Sequence, residues 1–271
     1  MDQKHYVLVH GACHGAWCWH KLKPRLESAG HKVTILDLAA SGINRKAIQD
    51  LHGIVDYSEP LLEFLASLPS NEKVVLVGHS LGGLNVALAM EKFPEKVALG
   101  VFLTAFMPDI EHKPSYVIDE FIKRIPIDGW LDAQFSSSGS LTTVSFGPKF
   151  LSTKLYQLCS IEDLELAKVL VRPGLLFTED LSKAKNFTKE GIWVSSSCLY
   201  CCQRGRRHNR GISAMYDPKW WCSRGAGDQG SRIIWLCFPS HNNFAHLSLK
   251  LEINMHKYNF AMSVFDTNLQ D

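Results

Sequence analysis

The segment Lys73–Gly83 (KVVLVGHSLGG) constrains the fold of this chain more than any other. Lys73–Val77 is a β-branched, apolar run with the length of a buried strand. Gly78-His79-Ser80-Leu81-Gly82 follows, and then a helical pattern carried by Leu84, Ala87, Leu88 and Met90 up to Phe93-Pro94. Glycines on both sides of Ser80 allow a tight strand-to-helix turn, which holds the serine in a strained conformation with its Oγ presented. The Leu81 amide then lies at a helix N-terminus, where backbone N–H groups are unpaired and negative charge is favoured. The pattern predicts Ser80 as a nucleophile and Leu81 N–H as an oxyanion donor. The plainer reading of the same five residues is a glycine-rich turn that serves only helix–sheet packing.

The surrounding chain supports a layered architecture. Tyr6–Val9 reads as a strand, and His10-Gly11-Ala12 follows it, which makes Ala12 N–H the candidate second oxyanion amide. A helical pattern runs from near Trp19 to Gly30, Lys32–Leu36 is a second strand closed by Asp37, Tyr57–Leu68 has helical spacing, and Val97–Leu103 is a fourth strand. Strands alternating with helices argue for a mostly parallel sheet covered on both faces. From about 108 to 178 the chain reads as short helices and loops studded with aromatic residues such as Tyr116, Phe121 and Trp130. It is predicted as a lid insertion, with a surface helical excursion as the alternative.

The 271 residues fit one large α/β domain. A net charge of +2 gives no case for a nucleic-acid or membrane-surface partner. No run of about 18 apolar residues is present, and Met1-Asp-Gln-Lys-His lacks the apolar core of a signal peptide, so a cytoplasmic location is expected. Five of the eight cysteines (Cys198, Cys201, Cys202, Cys222, Cys237) crowd near the C-terminus. Without a secretory signal a disulfide framework is not expected. Cys198, Cys201, Cys202 and His208 lack the second ligand pair of a structural zinc site, so neither metal nor cofactor is expected.

Up to about residue 190 the chain resembles the plant methylesterase and hydroxynitrile lyase family of α/β-hydrolases, most of all the esterases acting on salicylate, jasmonate or auxin methyl esters. The resemblance is carried by VHGACHGAWCW (Val9–Trp19), LESAGHKVTILDLAASGIN (Leu26–Asn44), EKVVLVGHSLGG (Glu72–Gly83), FGPKF (Phe146–Phe150), LYQLCSIEDLELAKVLVRP (Leu155–Pro173) and EDLSKAKNFT (Glu179–Thr188), and it resumes at His256–Asn259. It implies an α/β-hydrolase fold over 1–271, a mostly parallel sheet with helices on both faces and a helical lid, a catalytic Ser80, no cofactor, a small-molecule ester substrate and a homodimer. Hydroxynitrile lyases of the family carry Thr where Gly11 stands and typically Glu where His79 stands, so both positions favour the esterase.

Residues 192–255 depart from that pattern. In the family a strand ending in a Thr/Asn-Glu-Asp motif holds the catalytic Asp and an Ala-Asp-His-Met motif holds the catalytic His, and neither stands in this segment. The later acids Glu190, Asp217, Asp228, Glu252, Asp266 and Asp271 and the histidines His208, His241, His246 and His256 stand in no recognisable strand-end context, which makes the C-terminal strands doubtful. A shifted reading frame accounts for the break. Plausible codons of Gln203–Met215, re-read one base downstream, permit an acid loop of family type (Lys-Glu-Asp-Glu-Gly-Ile). Those of Arg232–Leu251, shifted once more, permit Asp-His-Met. The aspartate codon would straddle Gly205 and Arg206, the histidine codon Ile233 and Ile234, and a third slip restores the frame by His256. An unbroken transcript read encoding residues 192–255 as they stand would contradict this. A natural, divergent C-terminus is the alternative, and it leaves a chain that binds its ligand without turnover.

Overall fold

Alternation along the first strand builds two cores at once. In β1 (His5–Val9), Tyr6 and Leu8 point to one side of the sheet, and Val7 and Val9 to the other. β3 (Val74–His79) repeats the pattern, with Val75 and Val77 on the side of Tyr6 and Val74 and Leu76 opposite. In β4 (Val97–Leu103), Val101 and Leu103 face away from Phe102. One face is closed by Trp19 and by Leu22 and Leu26 of α1 (Leu22–Ser28). The other is closed by α2 (Ile54–Ser67), through Leu61 and Leu65, and by α3 (Gly82–Lys92), through Leu84, Ala87 and Met90. A leucine such as Leu76, with no exposed surface, contributes about 1.5–3 kcal/mol by leaving water.

The computed structural model describes residues 3–139, 141–193, 196–201 and 234–237. With β2 (Lys32–Ile35), β8 (Ser196–Cys201) and β9 (Ile234–Cys237), the strands form a six-stranded sheet in the order β2-β1-β3-β4-β8-β9, and every pairing is parallel. The order reverses direction between β1 and β3, which opens a crevice at the carboxyl ends of those two strands. Among the described residues no helix is long and apolar enough to cross a membrane.

Two expectations are corrected. The sequence pattern left the strands after residue 192 in doubt, yet β8 pairs with β4 from Leu99↔Ser196 to Leu103↔Tyr200, and β9 pairs with β8. Backbone pairing makes that ladder, and residue-type patterning does not report it. The stretch from 108 to 178 was expected to be helices and loops. It does contain α4 (Tyr116–Arg124), the short α5 (Pro148–Phe150) and α6 (Ile161–Leu170). It also contains β5 (Gln134–Ser138) and β6 (Leu141–Ser145), an antiparallel pair that β7 (Gly174–Leu175) joins. Of β6 only Val144 is buried, and Phe135 of β5 is exposed, so no alternating apolar stripe announced the sheet. α7 (Thr178–Lys183) then returns the chain to the main body, where the Asp180 carboxylate accepts from Ile54 N at 2.8 Å at the start of α2.

Candidate active site

Ser80 sits in the left-handed region at φ +54°, at the junction of β3 and α3. A residue with a Cβ carries a cost there, so the turn is held by its surroundings. The Ser80 carbonyl accepts from Gly83 N (3.1 Å) and from Phe106 N (2.9 Å). The flanking glycines are required by space. A Cβ on Gly78 would lie 2.6 Å from the Gly82 carbonyl oxygen, and one on Gly82 would lie 2.7 Å from the carbonyl oxygens of both Val9 and His10. α3 therefore starts directly against the end of β1.

The loop after β1 closes on the same point. A Cβ on Gly11 would lie 2.9 Å from Ser80 Cβ and 3.3 Å from His79 Nδ1, so a glycine is what lets this loop reach the serine. The structure thus gathers all three site residues expected from sequence, Ser80, Leu81 and Ala12, at the carboxyl ends of β1 and β3. Among the described residues the amides of Ala12 and Leu81 donate to no partner, and the Ser80 hydroxyl has none. Glu190 lies exposed in α8 (Lys189–Trp193). Asp217, Asp228, Glu252, Asp266, Asp271, His208, His241, His246 and His256 lie outside the described residues, as do Cys202 and Cys222, the Gly205–Arg206 junction of the frame reading and Ile233 of the second junction.

Three groups that sequence reasoning passed over hold the loop. His10 is fully buried, its Nδ1 lies 2.9 Å from the Gly11 carbonyl and its Nε2 accepts from Leu38 N at 3.1 Å. One nitrogen donates and the other accepts, so the ring is the neutral Nδ1–H tautomer. Burial holds its pKa down at about 4. Between the unfolded value near 6.5 and about 4, only the unfolded chain takes the proton. Stability is therefore present above 6.5 and lost as pH falls through that window, by about 3 kcal/mol in all. Urea unfolding at pH 7 and 4.5 checks this, and a His10→Asn variant should lose that part of the slope.

His14 carries the second tie. Its Nδ1 donates to the Ala12 carbonyl at 2.9 Å, and its Nε2 meets the Tyr156 hydroxyl at 2.9 Å. Cys13 is the third, at φ +65°. Its thiol donates to the Val144 carbonyl at 3.2 Å, and its own carbonyl accepts from Arg172 N at 3.0 Å, which fastens the loop to β6 and to the chain before β7. Burial pushes that thiol up to about 12, so it serves as packing, not as a nucleophile. Asp37 accepts from Ala16 N (2.6 Å) and Ile43 N (3.2 Å), while Arg172 donates to the carbonyls of Gly42 (2.9 Å) and Asn44 (3.0 Å). A lone acid after β2 was the only sequence signal for this brace.

A strained serine between strand and helix, facing a glycine-opened loop with unpaired amides, is the arrangement of one large protein class, and comparison agrees. The chain belongs to the alpha/beta hydrolase fold family, whose model matches residues 4–210. Within it, the relatives include plant methylesterases and a hydroxynitrile lyase. Salicylic acid-binding protein 2 of Nicotiana tabacum is 61% identical over 193 residues, covering 70% of this chain and 74% of that protein. Methylesterase 1 of Arabidopsis thaliana is 57% identical over 208 residues, covering 75% and 79%. Polyneuridine aldehyde esterase of Rauvolfia serpentina is 54% identical over 205 residues, 74% of this chain and 78% of that protein. A crystal structure of polyneuridine aldehyde esterase superposes with TM-score 0.79 over 93% of this chain and 100% of that one, at 43% identity.

Proposed function

We propose that this protein is a serine carboxylesterase that hydrolyses methyl esters of small plant acids of the salicylate, jasmonate or indole-acetate type. One observation carries the reading: Ser80 is held at φ +54° against Gly11, with the unpaired amides of Ala12 and Leu81 beside it. In the reaction Ser80 Oγ attacks the ester carbonyl, and the two amides stabilise the oxyanion. Methanol leaves, and water then hydrolyses the acyl-enzyme. Proton transfer needs a base at Ser80, and the candidate histidines lie outside the described residues. The segment between β4 and α7 is read as the lid over this site, and its small sheet is fastened to the oxyanion loop through Cys13.

The names of relatives such as Methylesterase 1 and Methylesterase 2 of Arabidopsis thaliana support ester hydrolysis. Gly11 supports it further, because position 11, which faces Ser80, carries no side-chain hydroxyl of its own. The second reading, binding without turnover, rests on residues 192–255, where neither the family's Glu-Asp strand end nor its Asp-His-Met motif stands. Methanol release by the full chain from methyl salicylate, methyl jasmonate and methyl indole-3-acetate separates the two. Turnover of at least one ester is expected, and saturable binding with no methanol would favour the second reading. Purified protein is further expected to be cytoplasmic in origin and dimeric.

A further inference from the structure

A cavity of about 160 Å³ lies between the turn that follows the oxyanion loop and the chain before α6. Its walls are the rings of Trp17, Trp19 and Tyr156 with the thiols of Cys18 and Cys159, and Arg25 of α1 stands at its rim. None of residues 10–13 or 78–82 borders it. An apolar cavity of about 150 Å³ holds one benzene ring. Trp17, Trp19, Leu22 and the two thiols, which burial pushes up and leaves uncharged, supply that chemistry, and His20, Lys21, Arg25 and Asp163 complete the lining.

The charges at the rim do not cancel. Asp163 is already shared by Lys21 and by His20 at 3.3 Å. Arg25 has no ion pair among the described residues. An unspent guanidinium beside aromatic walls matches a planar carboxylate, which it can hold through two parallel hydrogen bonds.

The cavity also touches the active-site loop from behind. Tyr156 forms part of its wall and meets His14 Nε2 at 2.9 Å, while His14 Nδ1 holds the Ala12 carbonyl at 2.9 Å. Trp17, another wall, stacks on the His14 ring with centroids 5.2 Å apart. Any occupant that moves either wall acts on the Ala12–Cys13 peptide.

We propose that this cavity is a second binding site, taking a one-ring aromatic carboxylate at Arg25 and passing its occupancy to the oxyanion loop through Tyr156 and His14. Only the catalytic meaning of Ala12 rests on the proposed function, and the test needs no turnover. Benzoate is the probe, titrated by calorimetry into the full chain and into Arg25→Gln, a surface change that spares the core. Binding by the native chain, weakened at least tenfold in Arg25→Gln, is expected. Absence of benzoate binding, or equal binding by both proteins, overturns the site. Amide resonances of Ala12 and Cys13 should shift on benzoate addition, and should stay still in a Tyr156→Phe variant that still binds. Equal shifts in that variant, or no shift in the native chain, overturn the coupling.

Discussion

Replacing Ser80 with alanine is expected to lower methyl ester hydrolysis by about 10³-fold or more, with kcat carrying the loss and KM nearly unmoved. Alanine removes the attacking oxygen and leaves the glycine contacts, both carbonyl anchors and the Ala12 and Leu81 amides in place. Ser80→Gly adds a distinct signature. At φ +54° a residue with a Cβ is strained and glycine is not, so this variant should lose the same activity while gaining about 1 kcal/mol of stability. Steady-state kinetics and urea unfolding on the same preparations check both. Full activity in Ser80→Ala would remove the serine from the chemistry, and no stability difference between the two variants would remove the strain.

Gly82→Ala should damage both stability and activity. The added carbon would lie 2.7 Å from the carbonyl oxygens of both Val9 and His10, which are backbone atoms of a central strand and its buried exit. Flexible side chains can yield to such an intrusion, but a paired strand cannot, so α3 must move away from β1. The cost expected is about 1–3 kcal/mol, the range for overpacking a close-packed interior. The same shift carries Leu81 N and Ser80 out of line, and a misplacement near 1 Å costs about 10²-fold in rate. A thermal melt and an ester assay on Gly82→Ala measure the two losses. Native stability and activity together would mean that α3 does not start against β1 as described.

The parts that were legible in the sequence are those governed by short-range rules. β1, β3 and β4 were visible because buried parallel strands need continuous apolar residues, and α3 because its leucines recur at helical spacing. Ser80, Leu81 and Ala12 were found by the turn chemistry around them. The small sheet of β5, β6 and β7 was hidden by the serines and threonines of β5 and β6, which leave no apolar period. The loop clamps were hidden for another reason. His10 to Leu38, Cys13 to Val144, His14 to Tyr156 and Arg172 to Gly42 join residues 28 to 142 positions apart, and no local pattern links their types. A buried histidine directly after a strand was the one clue available.

The central claim is that Ser80 is the nucleophile of this hydrolase, and a covalent probe addresses it most directly. The full chain treated with a fluorophosphonate, digested and weighed by mass spectrometry should carry one adduct, on the peptide that contains Ser80, and the Ser80→Ala chain should carry none. An unmodified Ser80 peptide, or an adduct that persists in Ser80→Ala, would contradict the account.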